Sequence, residues 1–134
     1  MVTSSDLESF LDRLTADGGS YEAAGENLWV VRPGGALDVD VVVDYAPPVV
    51  LLRTKVMDVP ARADAAAALF RRLLELNAVD LVHGSYGLSD GAVVLTEALE
   101  LSHLDYEEFL ASYESMTLAL ATHMRDLSTY REDA

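Results

Sequence analysis

Between Leu37 and Tyr45, apolar side chains alternate with aspartate or a further valine, and Pro47-Pro48 cuts the run off. A period of two puts Leu37, Val39, Val41, Val43 and Tyr45 on one side of an extended chain. It puts Asp38, Asp40, Val42 and Asp44 on the other. Such a stretch is committed to a sheet with one buried face. Proline cannot donate to a ladder, so the strand over 36–46 must stop at the pair, and the chain returns as a strand over 49–57.

The flanking segments supply the remaining elements. Leu7, Phe10, Leu11 and Leu14 fall at helical spacing over 5–16, with Ser5 and Glu8 as a capping box and Asp17-Gly18-Gly19 as the stop. A short strand over 27–32 leads into the Pro33-Gly34-Gly35 turn. Pro60 opens a second helix with Ala66, Leu69, Phe70, Leu73 and Leu76/Asn77 as its inner stripe. Strands over 79–88 and 92–99 flank Asp90-Gly91, a two-residue hairpin signal. Asp105 and Glu108 then start a last helix, with Leu104 stapled to Phe109 and an apolar face running from Phe109 to Leu127. The tail 128–134 is polar and is expected to fray. The order α-β-β-β-α-β-β-α predicts one α+β domain over 1–134, an antiparallel sheet with helices packed mainly on one face.

The stretches Leu73-Leu74-Glu75-Leu76-Asn77, Leu81–Leu99 and Leu101-Ser102-His103-Leu104-Asp105-Tyr106-Glu107-Glu108-Phe109, set in this order of elements, resemble the YbjN family. The fold of that family is like that of type III secretion chaperones. The resemblance implies a non-enzymatic protein, often dimeric, that binds other proteins. No secretion role is carried over, since the matching stretches are a helix end, a hairpin and a capped helix start.

Charge narrows the partners. The 134 residues carry 9 Lys and Arg against 23 Asp and Glu, a net charge of -14. That balance repels nucleic acid and anionic membrane, and favours basic or amphipathic protein segments. Hydrophobic residues at 51% argue against disorder. No apolar run reaches the ~18 residues of a membrane span, and the N-terminus lacks a basic region and an apolar core of a secretory signal, so a cytoplasmic location is expected. Cysteine is absent, which excludes disulfides and thiolate metal sites. One lysine against eight arginines, with no isoleucine or glutamine, points to a GC-rich bacterial genome.

Register arithmetic separates two faces. A symmetric Pro-Pro corner sets Asp40 opposite Lys55, with Arg53 diagonal to Asp40 and Asp44. Val39, Val41, Val43, Val50, Leu52 and Val56 then share the core face, joined by Trp29 if a three-residue loop pairs it with Val39. The hairpin adds Val82, Tyr86, Leu88, Val93, Leu95 and Leu99. The outer face mixes charges with aliphatics, which fits a protein contact. Val30, Val42 and Leu51, with Asp40, Arg53 and Lys55 around them, are the expected partner or homodimer surface, with the second helix as the competing site.

Nothing in the chain composes a catalytic or metal-binding motif. The spacing of Asp38, Asp40 and Asp44 is that of a strand and lacks the glycine and closing glutamate of a calcium loop. His83, His103 and His123 share no ligand spacing, and His103 beside Asp105, Glu107 and Glu108 is their densest grouping. Gly84-Ser85-Tyr86-Gly87 is no nucleophile elbow, and Arg32-Pro33-Gly34-Gly35 is no P-loop. Glu97 falls on the core side opposite Gly84. The expected function is therefore chaperone-like protein binding, with no catalytic residue, cofactor or metal. The alternative is a small enzyme or small-molecule binder with a pocket around Glu97 and His83.

Overall fold

Val41 and Val43 are buried, and the sheet they anchor has six antiparallel strands. The computed structural model describes residues 1–35 and 37–131. Its elements are α1 (Ser4–Leu14), β1 (Ser20–Gly25), β2 (Leu28–Arg32), β3 (Val41–Ala46), β4 (Val49–Asp58), α2 (Ala63–Val79), β5 (Ser85–Ser89), β6 (Ala92–Glu100) and α3 (Tyr106–Ser128). The strands lie in the order β1-β2-β3-β4-β6-β5, so β1 and β5 are the edges. This is the expected α+β domain with one strand added. β1 escaped the sequence because its side chains do not alternate. It is a solvent-facing edge strand in which only Tyr21 is half-buried.

The core lies between the inner sheet face and the helices. Trp29, Val31, Val43, Val50, Leu52, Val93 and Leu95 meet Leu7, Leu11, Leu69, Leu73, Leu76, Phe109, Met116 and Leu120 there. A bulge between Lys55 and Met57 turns both Val56 and Met57 inward. Trp29 pairs with Val43 instead of Val39. The offset is even, so Trp29 keeps its buried face while its partner changes. The cause is the glycine pair: a Cβ on Gly19 would sit 2.6 Å from the Arg32 carbonyl, and one on Gly34 would sit 2.9 Å from the Gly19 nitrogen. The Pro33-Gly34-Gly35 turn therefore packs on the entrance to β1 and does not close a three-residue hairpin. Residues 37–40 have no ladder, and position 36 of the expected strand lies outside the described residues.

Helix starts follow local hydrogen bonds. α1 is capped by Thr3, not Ser5, because Thr3 Oγ1 accepts the Asp6 N–H at 3.1 Å while Asp6 Oδ2 accepts the Thr3 N–H at 2.9 Å. α2 begins at Ala63 behind Arg62, past Pro60. Asp105 caps α3 as expected, accepting the Glu108 N–H at 2.8 Å. After α3, Thr129, Tyr130 and Arg131 form hydrogen-bonded turns, and 132–134 of the tail lie outside the described residues.

Val82 and Leu88 were expected in the core and are 84% and 54% exposed. Residues 81–84 form no strand, and β5 is an edge. The Asp90-Gly91 turn itself is as expected, with φ of 50° and 77° and Ser89 paired to Ala92.

Candidate functional site

Between α2 and the edge strand β5 runs an apolar groove of about 240 Å³, lined by Phe70, Leu73, Leu74, Asn77, Tyr86, Gly87 and Leu88. Leu74 is 68% exposed, Val79 at the end of α2 is 78% exposed, and Val82 in the connection to β5 is 84% exposed. Together with Leu88 they are four of the seven large hydrophobics exposed among the described residues. Such a cluster marks a contact surface more than scattered aliphatics do.

A polar frame holds the groove in shape. In a two-residue hairpin the residues flanking the turn exchange both bonds, so Tyr86 aims its N–H and C=O at the free edge. Asn77 takes both: the Tyr86 N–H donates to Asn77 Oδ1 at 2.7 Å, and Asn77 Nδ2 donates to the Tyr86 carbonyl at 3.1 Å. One side-chain amide thus substitutes for a neighbouring strand.

The Tyr86 ring points inward, where its hydroxyl lies 2.7 Å from His123 Nδ1, and His123 Nε2 lies 3.1 Å from Asp80 Oδ2. A carboxylate only accepts, so Nε2 donates to Asp80, and the Tyr86 hydroxyl completes the chain at Nδ1. Burial, and then the Asp80 charge, push the Tyr86 phenol well above its ordinary pKa. Sequence spacing missed this chain. Its available signal was an asparagine on the inner stripe of α2 and a histidine on that of α3.

The other histidines divide. His103 sits in a turn at φ 65° and makes no hydrogen bond or ion pair among the described residues, so the grouping with Asp105, Glu107 and Glu108 does not form. His83, expected on a strand, precedes β5 and meets Glu97, with Nδ1 3.5 Å from Oε2. Glu97 Oε2 also accepts the Gly84 N–H at 2.8 Å. Ser112 Oγ is 3.2 Å from the same Nδ1 and wholly buried. A nucleophile relay needs serine and carboxylate on opposite ring nitrogens. Here both crowd one nitrogen, and the cluster ties the loop before β5 to α3 and β6. No three His, Asp or Glu side chains among the described residues gather as metal ligands would.

The outer sheet face carries the six residues expected as a contact surface. Val30 pairs with Val42, Val42 with Arg53, and Asp44 with Leu51, which is 37% exposed. The ion pairs are not those expected. Asp40 lies 3.4 Å from Arg32, and Lys55 lies 2.9 Å from Asp58, its neighbour beyond the bulge. Arg53 reaches Ser89 Oγ at 2.5 Å, across a hollow of about 310 Å³ floored by Val42, Ala92 and Val94.

The CesT_Tir_1 model, of a type III secretion chaperone family, matches residues 2–133. The chain belongs to that family. No curated relative matches it in sequence. Three solved structures share the family fold. A chain of the heterodimeric ExoU–SpcU complex of the Pseudomonas aeruginosa type III secretion system is 16% identical with a TM-score of 0.61, over 94% of this chain and 98% of that one. YbjN of E. coli is 19% identical with a TM-score of 0.61, over 92% of each chain. A chain of the HopA1–SchA chaperone–effector complex is 11% identical with a TM-score of 0.60, over 89% of this chain and 93% of that one. The resemblance to YbjN and to secretion chaperones that the sequence carried is thus found again in the fold.

Proposed function

We propose that this protein is a non-enzymatic, chaperone-like binder that holds an apolar segment of a protein partner in the α2–β5 groove, as a homodimer in the cytoplasm. Family membership supports chaperone-like protein binding. Two of the similar structures are complexes of a chaperone fold with a protein, ExoU–SpcU and HopA1–SchA. The observation that carries the reading is the groove: exposed Leu74 and Leu88 on the walls of an apolar channel whose polar frame is already satisfied, with Val79 and Val82 exposed in the chain between α2 and β5. A ligand gains there by burying apolar area, at about 25 cal/mol per Å², and not by pairing with the walls. The net charge of -14 draws in segments that are basic on their outer side, so an amphipathic basic segment is the fitting partner. Among the described residues no helix is long and apolar enough to cross a membrane.

Fluorescein-labelled amphipathic basic peptides test this by anisotropy at physiological salt. The wild type is expected to bind such peptides, and L74E/L88E is expected to lose at least about tenfold in affinity, the scale of removing a buried aliphatic contact. Equal binding by both proteins, or none by the wild type, would remove the groove as the site.

A further inference from the structure

What the α2–β5 groove can hold depends on which backbone groups its walls leave free. A partner in extended conformation would have to add to the β5 edge, and an added strand draws its affinity from main-chain bonds. Outward positions alternate along β5, so the edge offers the N–H and C=O of Tyr86 and Leu88, with Gly84 next in line before the strand. Asn77 takes both groups of Tyr86, and Glu97 takes the Gly84 N–H. Among the described residues Leu88 alone of these three keeps both edge groups open, where a ladder needs several positions in succession. A strand laid there would bury groups of its own against positions already satisfied.

A helix has no such need, because its backbone bonds close within itself. The walls also suit its shape. On α2, Phe70, Leu73, Leu74 and Asn77 stand at spacings of three and four, the rows that a second helix packs between. Ala66 and Ala67 continue that wall one turn earlier with small side chains that allow close approach. On β5, Gly87 leaves a gap between Tyr86 and Leu88, and nothing lies within 4 Å of where its Cβ would stand. Charges beside the lining set the sign of the occupant. Arg71 follows Phe70, Glu75 follows Leu74, and Asp90 stands two residues past Leu88; all three are exposed and without an ion pair among the described residues. Arg72 and Asp80 are held by Asp126 and His123. Two free acids against one free base, in a chain of net charge -14, favour a basic partner.

We infer that the groove receives its partner as an amphipathic α-helix, apolar at i, i+3, i+4 and i+7 and basic along its flanks, and not as a strand added to β5. This rests on the groove reading and gives the form of the partner. Asn77 then sets specificity by exclusion: it closes the edge to strands and leaves the apolar walls to helices.

Two basic peptides of one composition test this by anisotropy against the full chain at physiological salt, one with its leucines at helical spacing and one with them alternating. The helical pattern is expected to bind at least about tenfold more tightly, and stapling it into a helix should tighten it further by removing the cost of ordering. Isotope-edited infrared spectra of a carbonyl-labelled peptide read its form on the wild type, and the helix band is expected. An alternating peptide that binds as well as the helical one, or a label in the strand band, overturns the helix and leaves the groove. Asn77→Ala reopens the Tyr86 edge and should bring the alternating peptide to within about threefold of the helical one. A folded variant that gains nothing overturns the exclusion by Asn77, and where the variant does not fold the infrared label on the wild type decides. Failure of both peptides to bind overturns the groove reading and the helix together. If L74E/L88E then also loses self-association in sedimentation, the occupant is a second copy of this chain.

Discussion

At the α2–β5 groove, apolar side chains rest on a polar frame in which every group has a partner. On the outer face of β3 and β4, apolar side chains lie among charges of which, among the described residues, Asp44 has no partner and Arg53 only the Ser89 hydroxyl. The groove can therefore be varied at its exposed aliphatics without disturbing structure, but hardly at all in its frame. The outer face tolerates change at its exposed positions, such as Leu51 and Arg53, but not at Ala92 and Val94, which are buried in the floor of its hollow. Exposed positions of the outer face should therefore matter less to stability than the frame of the groove, although both regions are open to partners.

The largest effect should come from the frame. Asn77→Ala leaves the N–H and C=O of Tyr86 without their side-chain partner, and unmatched groups at a half-buried site cost about 2 kcal/mol. It also bares the β5 edge, so aggregation should rise as the free strand finds other chains. Urea unfolding and light scattering measure the two. A loss below about 0.5 kcal/mol, the ordinary scatter of a surface change, would mean that the amide does not hold the edge.

A smaller effect is expected from Tyr86 and His123. Tyr86→Phe and His123→Phe should each lose about 1–2 kcal/mol, with the double variant losing about 1 kcal/mol less than their sum, because the pair is then removed together. The same tyrosine fixes a dependence on pH. Burial pushes the Tyr113 phenol up to about 12 and the Tyr86 phenol higher still. The folded chain then keeps protons that the unfolded chain gives up near pH 10, the ordinary tyrosine value. Stability is full below about pH 10 and falls as pH rises through the folded values. Tyr86→Phe should flatten that fall, and an unchanged slope would place the titration elsewhere.

How much of this the sequence disclosed follows from the range of each interaction. Alternation from Val41 to Tyr45, the Asp90-Gly91 turn and the Asp105 cap are local, and each is found where it was read, whereas Leu37 to Asp40 continue the same alternation without joining the ladder. The Trp29 register failed by four residues because a glycine contact between Gly19 and Gly34, fifteen residues apart, sets the loop. Val82 and Leu88 were assigned to the core by parity, which tells sides of a strand apart but not an edge from a centre. Pairing Asp40 with Lys55 assumed that charges opposite in register bond, whereas Arg32 and Asp58 lie within reach of them and compete. The Asn77–Tyr86 and Asp80–His123 links join α2 to β5 and to α3, and no periodicity within one element shows which side chains meet between elements.

The smallest structural effects give the sharpest test of the two regions. Leu88→Glu replaces an exposed aliphatic and Val42→Asp a half-buried one in a central strand, so they should change unfolding free energy by no more than about 0.5 and about 1 kcal/mol respectively. Their functional consequences should cross. Leu88 lines the groove and lies away from β3, so Leu88→Glu is expected to lose amphipathic peptide and keep the dimer. Val42 pairs with Val30 and Arg53 at the middle of the outer face, so Val42→Asp is expected to dissociate the dimer and keep the peptide. Anisotropy and sedimentation on the same two preparations give the four results. If one substitution abolishes both activities while the fold stays intact, the two surfaces are one. The peptide would then bind across the dimer, and the sheet face and the groove would have to be joined through β6, the strand that lies between β4 and β5.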